Sequence, residues 1–159
     1  MISGAVVLSL AAFATAGAAQ APADEAALTY DLAKQAAEAA EVEARANDWN
    51  VTIVVADASG IPVYLKRLTG ASTRSYEIAM GKARTSALTG LSTQQYGERL
   101  EAGQVEEVPN GINFPGGIPI VIDGEVVGAV GTSGVRALDD AQISQAGADA
   151  VTASGGTTR

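Results

Sequence analysis

The chain contains no cysteine and no histidine in its 159 residues. That inventory excludes disulfides, thiol nucleophiles, zinc centres, Ser-His-Asp triads and histidine-ligated haem or iron. Aromatic residues are scarce as well, 4% of a chain that is 47% apolar. The core must therefore rest on Ala, Val, Ile and Leu, which favours close packing of helices on a sheet. Cations are few: 10 Lys and Arg stand against 18 Asp and Glu, for a net charge of -8. Such a surplus of negative charge opposes electrostatic capture of nucleic acid or anionic lipid. The length suits one domain with a sizeable core.

The opening stretch MISGAVVLSLAAFATAGAAQAPADE carries an apolar run from Ala5 to Ala14, short of the ~20 residues that a membrane span needs. It ends in small residues, with Ala16, Ala18 and Ala19 at A-x-A-like positions. This pattern predicts a secretory signal over residues 1–22, cut between about Ala19 and Ala23, and a mature chain in the periplasm or secreted, without a membrane span. One feature departs from the pattern, since the segment has no Lys or Arg. The alternative is a buried first helix.

From Thr29 the pattern turns helical: Leu32, Ala36, Ala39 and Ala40 recur at three-and-four spacing, Thr29 suits the N-cap, and Asn47 to Asn50 closes the segment. VTIVVADA, residues 51–58, is β-branched and almost continuously apolar, as for a strand covered on both faces. Ser59-Gly60 turns the chain into a second strand over Val63 to Leu68. A helix follows from Thr73 to about Thr89, with Tyr76, Met80, Ala83 and Ala87 expected on its apolar stripe and Ser75, Ile78, Lys82 and Thr85 on the other side. Ser92 caps a short helix through Leu100. Residues 101–113 form a long surface loop. Asp123-Gly124 between two β-branched runs predicts a two-residue hairpin joining Ile118–Ile122 to Glu125–Thr132. Asp139 is the expected N-cap of the last helix, with Gln142 as capping-box partner and Ile143, Ala146, Gly147, Ala150 and Val151 on its apolar stripe.

The order is therefore helix, hairpin, two helices, hairpin, helix. Two separate hairpins imply an antiparallel sheet with helices packed on it, an α/β domain over 28–153 with a small polar tail at 154–159.

Several motifs carry chemistry or mimic it. The glycines of GEVVGAVGTSG have the wrong spacing for a dinucleotide fingerprint and lie in a strand, where glycine marks close approach of another element. Gly81-Lys82 sits mid-helix without a P-loop around it. Asp57 stands before a turn and suits local backbone bonding. Five cations, Lys66, Arg67, Arg74, Lys82 and Arg84, fall within residues 66–84 of an acidic chain. Lys66, Arg74 and Arg84 read as ordinary solvated charges. Lys82 shares a face with Ile78, so its stem can lie near the sheet, and its ammonium meets either a ligand or a carboxylate of the protein. In FPGGIPI, residues 114–120, Pro115 and Pro119 lack amide donors while Gly116 and Gly117 are free to take positive φ. The stretch is a corner at a sheet edge where a ligand or a neighbouring subunit could dock.

Taken together, VTIVVADASGIPVYLKRLTGAS, EIAMGKARTSA, FPGGIPIVIDGEVVGAVGTSG and DDAQISQAG, in this order and spacing, resemble the family of haem-binding and haem-degrading-type domains. That family includes a secreted haem-binding sensor protein and a glycolate-operon-type protein, and is similar to the carboxy-terminal domain of some corrinoid adenosyltransferases. The resemblance spans about Leu28 to Val151. It implies a profilin-like single domain, a central antiparallel sheet of about five strands flanked by helices, and homo-oligomers, often octamers. It also places the family's arginine, lysine and glycine pair at Arg67, Lys82 and Gly116-Gly117. Thr69 stands where the family commonly has Asp, and Gly134-Val135 where it commonly has Gly-Gly.

The resemblance implies haem as cofactor and a haem- or tetrapyrrole-binding exported protein. Without histidine, an iron would need Tyr, Met or Lys or go without a strong protein ligand; Tyr64, Tyr76, Tyr96 and Met80 are the candidate weak ligands, and no neighbouring feature selects one. A second reading is an enzyme or binder for an organic acid or related small-molecule anion. There Arg67 and Lys82 orient the ligand, Asn113 and Phe114 adjoin it, the amides of Gly116 and Gly117 stabilise negative charge, and Lys82 is a candidate acid or base. A third is an oligomeric structural protein without a ligand.

Overall fold

A computed structural model of the chain describes residues 27–155. The elements run α1 (Tyr30–Ala46), β1 (Thr52–Asp57), β2 (Pro62–Arg67), α2 (Arg74–Thr89), α3 (Thr93–Glu101), β3 (Gly117–Ile122), β4 (Glu125–Ser133) and α4 (Ala137–Gly155). The four strands form one antiparallel sheet in the order β2-β1-β4-β3, one strand fewer than the resemblance implies. The leader expected over residues 1–22 lies outside the described residues, as do residues 156–159 of the expected tail, while Gly155 still belongs to α4. Among the described residues no helix is long and apolar enough to cross a membrane.

Local chemistry accounts for the element ends. The Leu32 amide donates to Thr29 Oγ1 (3.2 Å) at the start of α1, and Ser92 and Gln95 form a reciprocal capping box at the start of α3. The hairpin between β3 and β4 turns on Asp123 (φ 52°) and Gly124 (φ 86°), as a two-residue primed turn requires. Asp57 bonds locally, its Oδ1 accepting from the Ser59 (2.9 Å) and Ile61 (3.0 Å) amides.

The central strands β1 and β4 are covered on both faces. One face carries α1 and α4 over Ile53, Val55, Val130 and Ile120; the other carries α2 over Val54 and Ala56. Small residues set the spacing. A Cβ on Gly131 of β4 would lie 2.4 Å from both the Ala79 carbonyl oxygen and the Ala83 nitrogen of α2, so the strand glycine is where a helix backbone rests on the sheet. The solvated role expected for Lys66 does not hold: it reaches from β2 to Glu41 of α1, which also pairs with Arg45.

Two helix expectations need correction. Of the stripe expected on α2, Ala83 and Ala87 are buried, but Tyr76 is 45% exposed and Met80 half-buried, while Ser75, Lys82 and Thr85, expected on the other side, are buried. The two large side chains of the stripe lie off the buried face, because the contact with the sheet is made by small residues. In α4 the first turn begins at Ala137, two residues before the expected cap, and Asp139 pairs with Arg136 instead (2.7 Å).

Candidate functional site

Lys82 leaves α2 on one face of the sheet and meets Asp140 of α4, which covers the other. Its ammonium donates to Asp140 Oδ2 at 2.7 Å and to the Thr132 carbonyl at 2.9 Å, with side-chain exposures of 0% and 3% for Lys82 and Asp140. The second carboxylate oxygen of Asp140 accepts from the Val135 amide at 3.2 Å. Burial pushes the Lys82 pKa below the ordinary lysine value against the upward pull of Asp140, and pushes Asp140 above the ordinary carboxylate value against the downward pull of Lys82. The Phe114 ring lies over the ammonium, 5.1 Å to its centroid, a cation–π distance. Lys82 thus meets a carboxylate of the protein.

The glycine pair belongs to this interior. Gly116 has φ 131°, and a Cβ there would come within 2.3 Å of Lys82 Nζ. Its carbonyl accepts from the Thr132 amide (2.9 Å) and from Ser144 Oγ (2.8 Å), and Ser144 Oγ also lies 2.8 Å from Thr132 Oγ1. The Gly117 amide, expected to stabilise a ligand's negative charge, instead donates to Thr93 Oγ1 at 2.9 Å. Asn113 is exposed, and its backbone carbonyl packs against Gly97. Arg67 is also exposed and donates to the Ala71 carbonyl at 2.6 Å. It sits on edge strand β2, with β1 between it and the β4 carbonyl that Lys82 contacts. Lys82, Phe114, Gly116 and Gly117 therefore come together; Arg67 does not join them.

Asp140 is the residue that sequence reasoning missed. It lies three, four and seven positions before Ile143, Ser144 and Gly147, all buried, so an acid on the inward stripe was the available signal.

The candidate iron ligands separate in the same way. Tyr64 faces the α1 layer, its ring edge-on to Tyr30 at 5.7 Å. Tyr96 is 1% exposed, and its hydroxyl accepts from the Val108 amide at 2.8 Å. Tyr76 and Met80, one helical turn apart on α2, line a common cavity of about 350 Å³ with Ile61, Pro62, Glu77 and Arg84. This groove runs between the β1–β2 hairpin and α2, and its surface is mostly apolar. Its lining thus includes a thioether, a phenol, one guanidinium, the Glu77 carboxylate and the Asn110 amide around an apolar floor.

A sequence profile for the family described as "Haem degrading protein HbpS-like" matches residues 28–149. The chain belongs to this family. The HbpS-like domain here is 37% identical over 108 residues to the protein GlcG of Escherichia coli K12, covering 67% of this chain and 81% of GlcG. A crystal structure of a Streptomyces reticuli HbpS double mutant superposes with a TM-score of 0.75 at 30% identity, covering 86% of this chain and 97% of that one. The crystal structure of a PduOC:haem complex superposes with a TM-score of 0.66 at 25% identity, covering 78% of this chain and 94% of that one.

Proposed function

We propose that this HbpS-like chain binds haem or a related tetrapyrrole in the groove between the β1–β2 hairpin and α2. Membership of the family and similarity to a protein crystallised with haem support the reading. The observation that carries it is local: of the four candidate iron ligands named from the sequence, two line one apolar cavity, Tyr76 and Met80. Tyr96 is committed to the 102–116 loop, and Tyr64 lies on the opposite face of the sheet from α2.

The residues present fit such a group. Ile61, Pro62 and the Met80 side chain would pack against the apolar macrocycle, and the Tyr76 oxygen and Met80 sulfur are the donors on offer to iron. Haem, when bound, supplies a redox-active iron; the chain supplies the apolar surface and the donors. The organic-acid reading loses ground because Lys82 is consumed internally and lies apart from Arg67.

The reading extends to an exported homo-oligomer, octamers included, on the strength of the leader pattern and the family. Titration of haemin into the purified chain should give a saturable Soret change, and its absence overturns the proposal. Native mass spectrometry of the same preparation reports the assembly and any bound mass together.

A further inference from the structure

The described residues hold nine Lys and Arg, and eight of them are either bonded within the chain or exposed. Lys34, Arg45, Lys66, Lys82 and Arg136 pair with carboxylates, and Arg67 bonds a backbone carbonyl. Arg74 and Arg99 are exposed and line none of the cavities described. Arg84 is different: it is half-buried, has no ion pair or hydrogen bond among the described residues, and lines the groove with Tyr76 and Met80. In a chain of net charge -8, a half-buried guanidinium at an apolar groove, with no carboxylate of the described residues upon it, is open to a carboxylate brought by a ligand.

The position is built. A Cβ on Gly60, φ 75°, would lie 3.1 Å from Arg84 Cγ, so the bare glycine makes room for the arginine stem at the mouth of the hairpin. Tyr76, Met80 and Arg84 are spaced four apart on α2, which places each about 6 Å along the helix axis from the last. The donors on offer to iron and the guanidinium therefore share one stripe, with the charge at the end farther from Tyr76. Glu77 lines the same groove toward the Tyr76 end and disfavours an anion there.

We infer that Arg84 binds a carboxylate on the rim of the tetrapyrrole, making the chain selective for tetrapyrroles with free carboxylates and fixing which edge points toward residue 84. This rests on the haem-binding reading above. A guanidinium–carboxylate contact with two parallel N–H donors gives both attraction and orientation.

The test compares haemin with its dimethyl ester, titrated into the full chain and into Arg84→Gln, Arg84→Met and Arg99→Gln. Arg84→Met keeps the apolar stem over Gly60, so loss of binding there reports the charge rather than the packing. The expected result is about tenfold or more weaker binding of the ester than of haemin by the unchanged chain, the same loss for haemin in both Arg84 variants, little further loss for the ester, and no change in Arg99→Gln. If both Arg84 variants bind haemin as tightly as the unchanged chain, the inference is overturned while the haem reading stands. If the unchanged chain binds neither compound, both fall.

Discussion

The Lys82 ammonium and the Asp140 carboxylate lie 2.7 Å apart, joining a helix on one face of the sheet to a helix on the other. Neither group reaches water to any extent. Coulomb attraction and the Thr132 and Val135 backbone contacts offset the desolvation of both charges. Removing one partner leaves the other buried and uncompensated.

Asp140→Ala is therefore expected to destabilise the fold by about 3–5 kcal/mol, whereas Lys82→Met with Asp140→Leu should come within about 1 kcal/mol of the unchanged chain or exceed it. Urea unfolding measures both. A double variant as unstable as Asp140→Ala would mean that the pair contributes far more than it costs.

The same pair gives a pH dependence whose sign follows from the two shifts. Asp140 has a folded pKa above 3.8, so between the two values the folded state holds the extra proton and stability falls as pH rises. Lys82 has a folded pKa below 10.5, so in that window the unfolded state holds the extra proton and stability rises with pH. The stability difference between the unchanged chain and the Lys82→Met, Asp140→Leu variant should thus dip across neutral pH and recover toward both ends. Parallel unfolding curves from acid to alkaline pH would show that the pair titrates in the fold as it does in the unfolded chain.

Gly116 and Gly124 both have positive φ, but only Gly116 is crowded, with Lys82 atoms at 2.3–2.8 Å from the position of an added Cβ and nothing within 4 Å at Gly124. Lys82 cannot swing aside cheaply, being held by Asp140 and Thr132. Gly124→Ala should cost about 1 kcal/mol from backbone strain alone, and Gly116→Ala about 3 kcal/mol or more. Equal losses in denaturant unfolding would remove the steric part of this account.

With haemin bound, Tyr76→Phe should change the ferric spectrum, since a hard iron favours a phenolic oxygen, while Met80→Leu should change the ferrous one, since a thioether suits the reduced metal. Tyr64→Phe and Tyr96→Phe should leave both unaltered. A spectral change in Tyr64→Phe matching that of Tyr76→Phe would move the site to the other face of the sheet.

Much of the fold was legible because its signals are local. The β-branched run at 51–58, the Asp123-Gly124 turn and the Thr29 and Ser92 caps depend on a few neighbouring residues. The α2 face was misread for a physical reason. Size suggested Tyr76 and Met80, but close packing on the sheet also takes the small residues Ser75 and Ala79, so Tyr76 is left exposed and Met80, packed at the edge of that cluster, lines the groove as well.

Composition alone removed histidine and cysteine chemistry, and periodicity with turn residues determined the order of helices and hairpins. Which charges face inward was decided by the tertiary structure. Lys82 and Asp140 stand 58 positions apart, and whether a lysine is solvated, paired inside or left for a ligand depends on what every packed element brings to it. Burial makes an unpaired charge costly, so that distant arrangement commits Lys82 to Asp140 and leaves Arg84 beside an apolar groove without a carboxylate of its own.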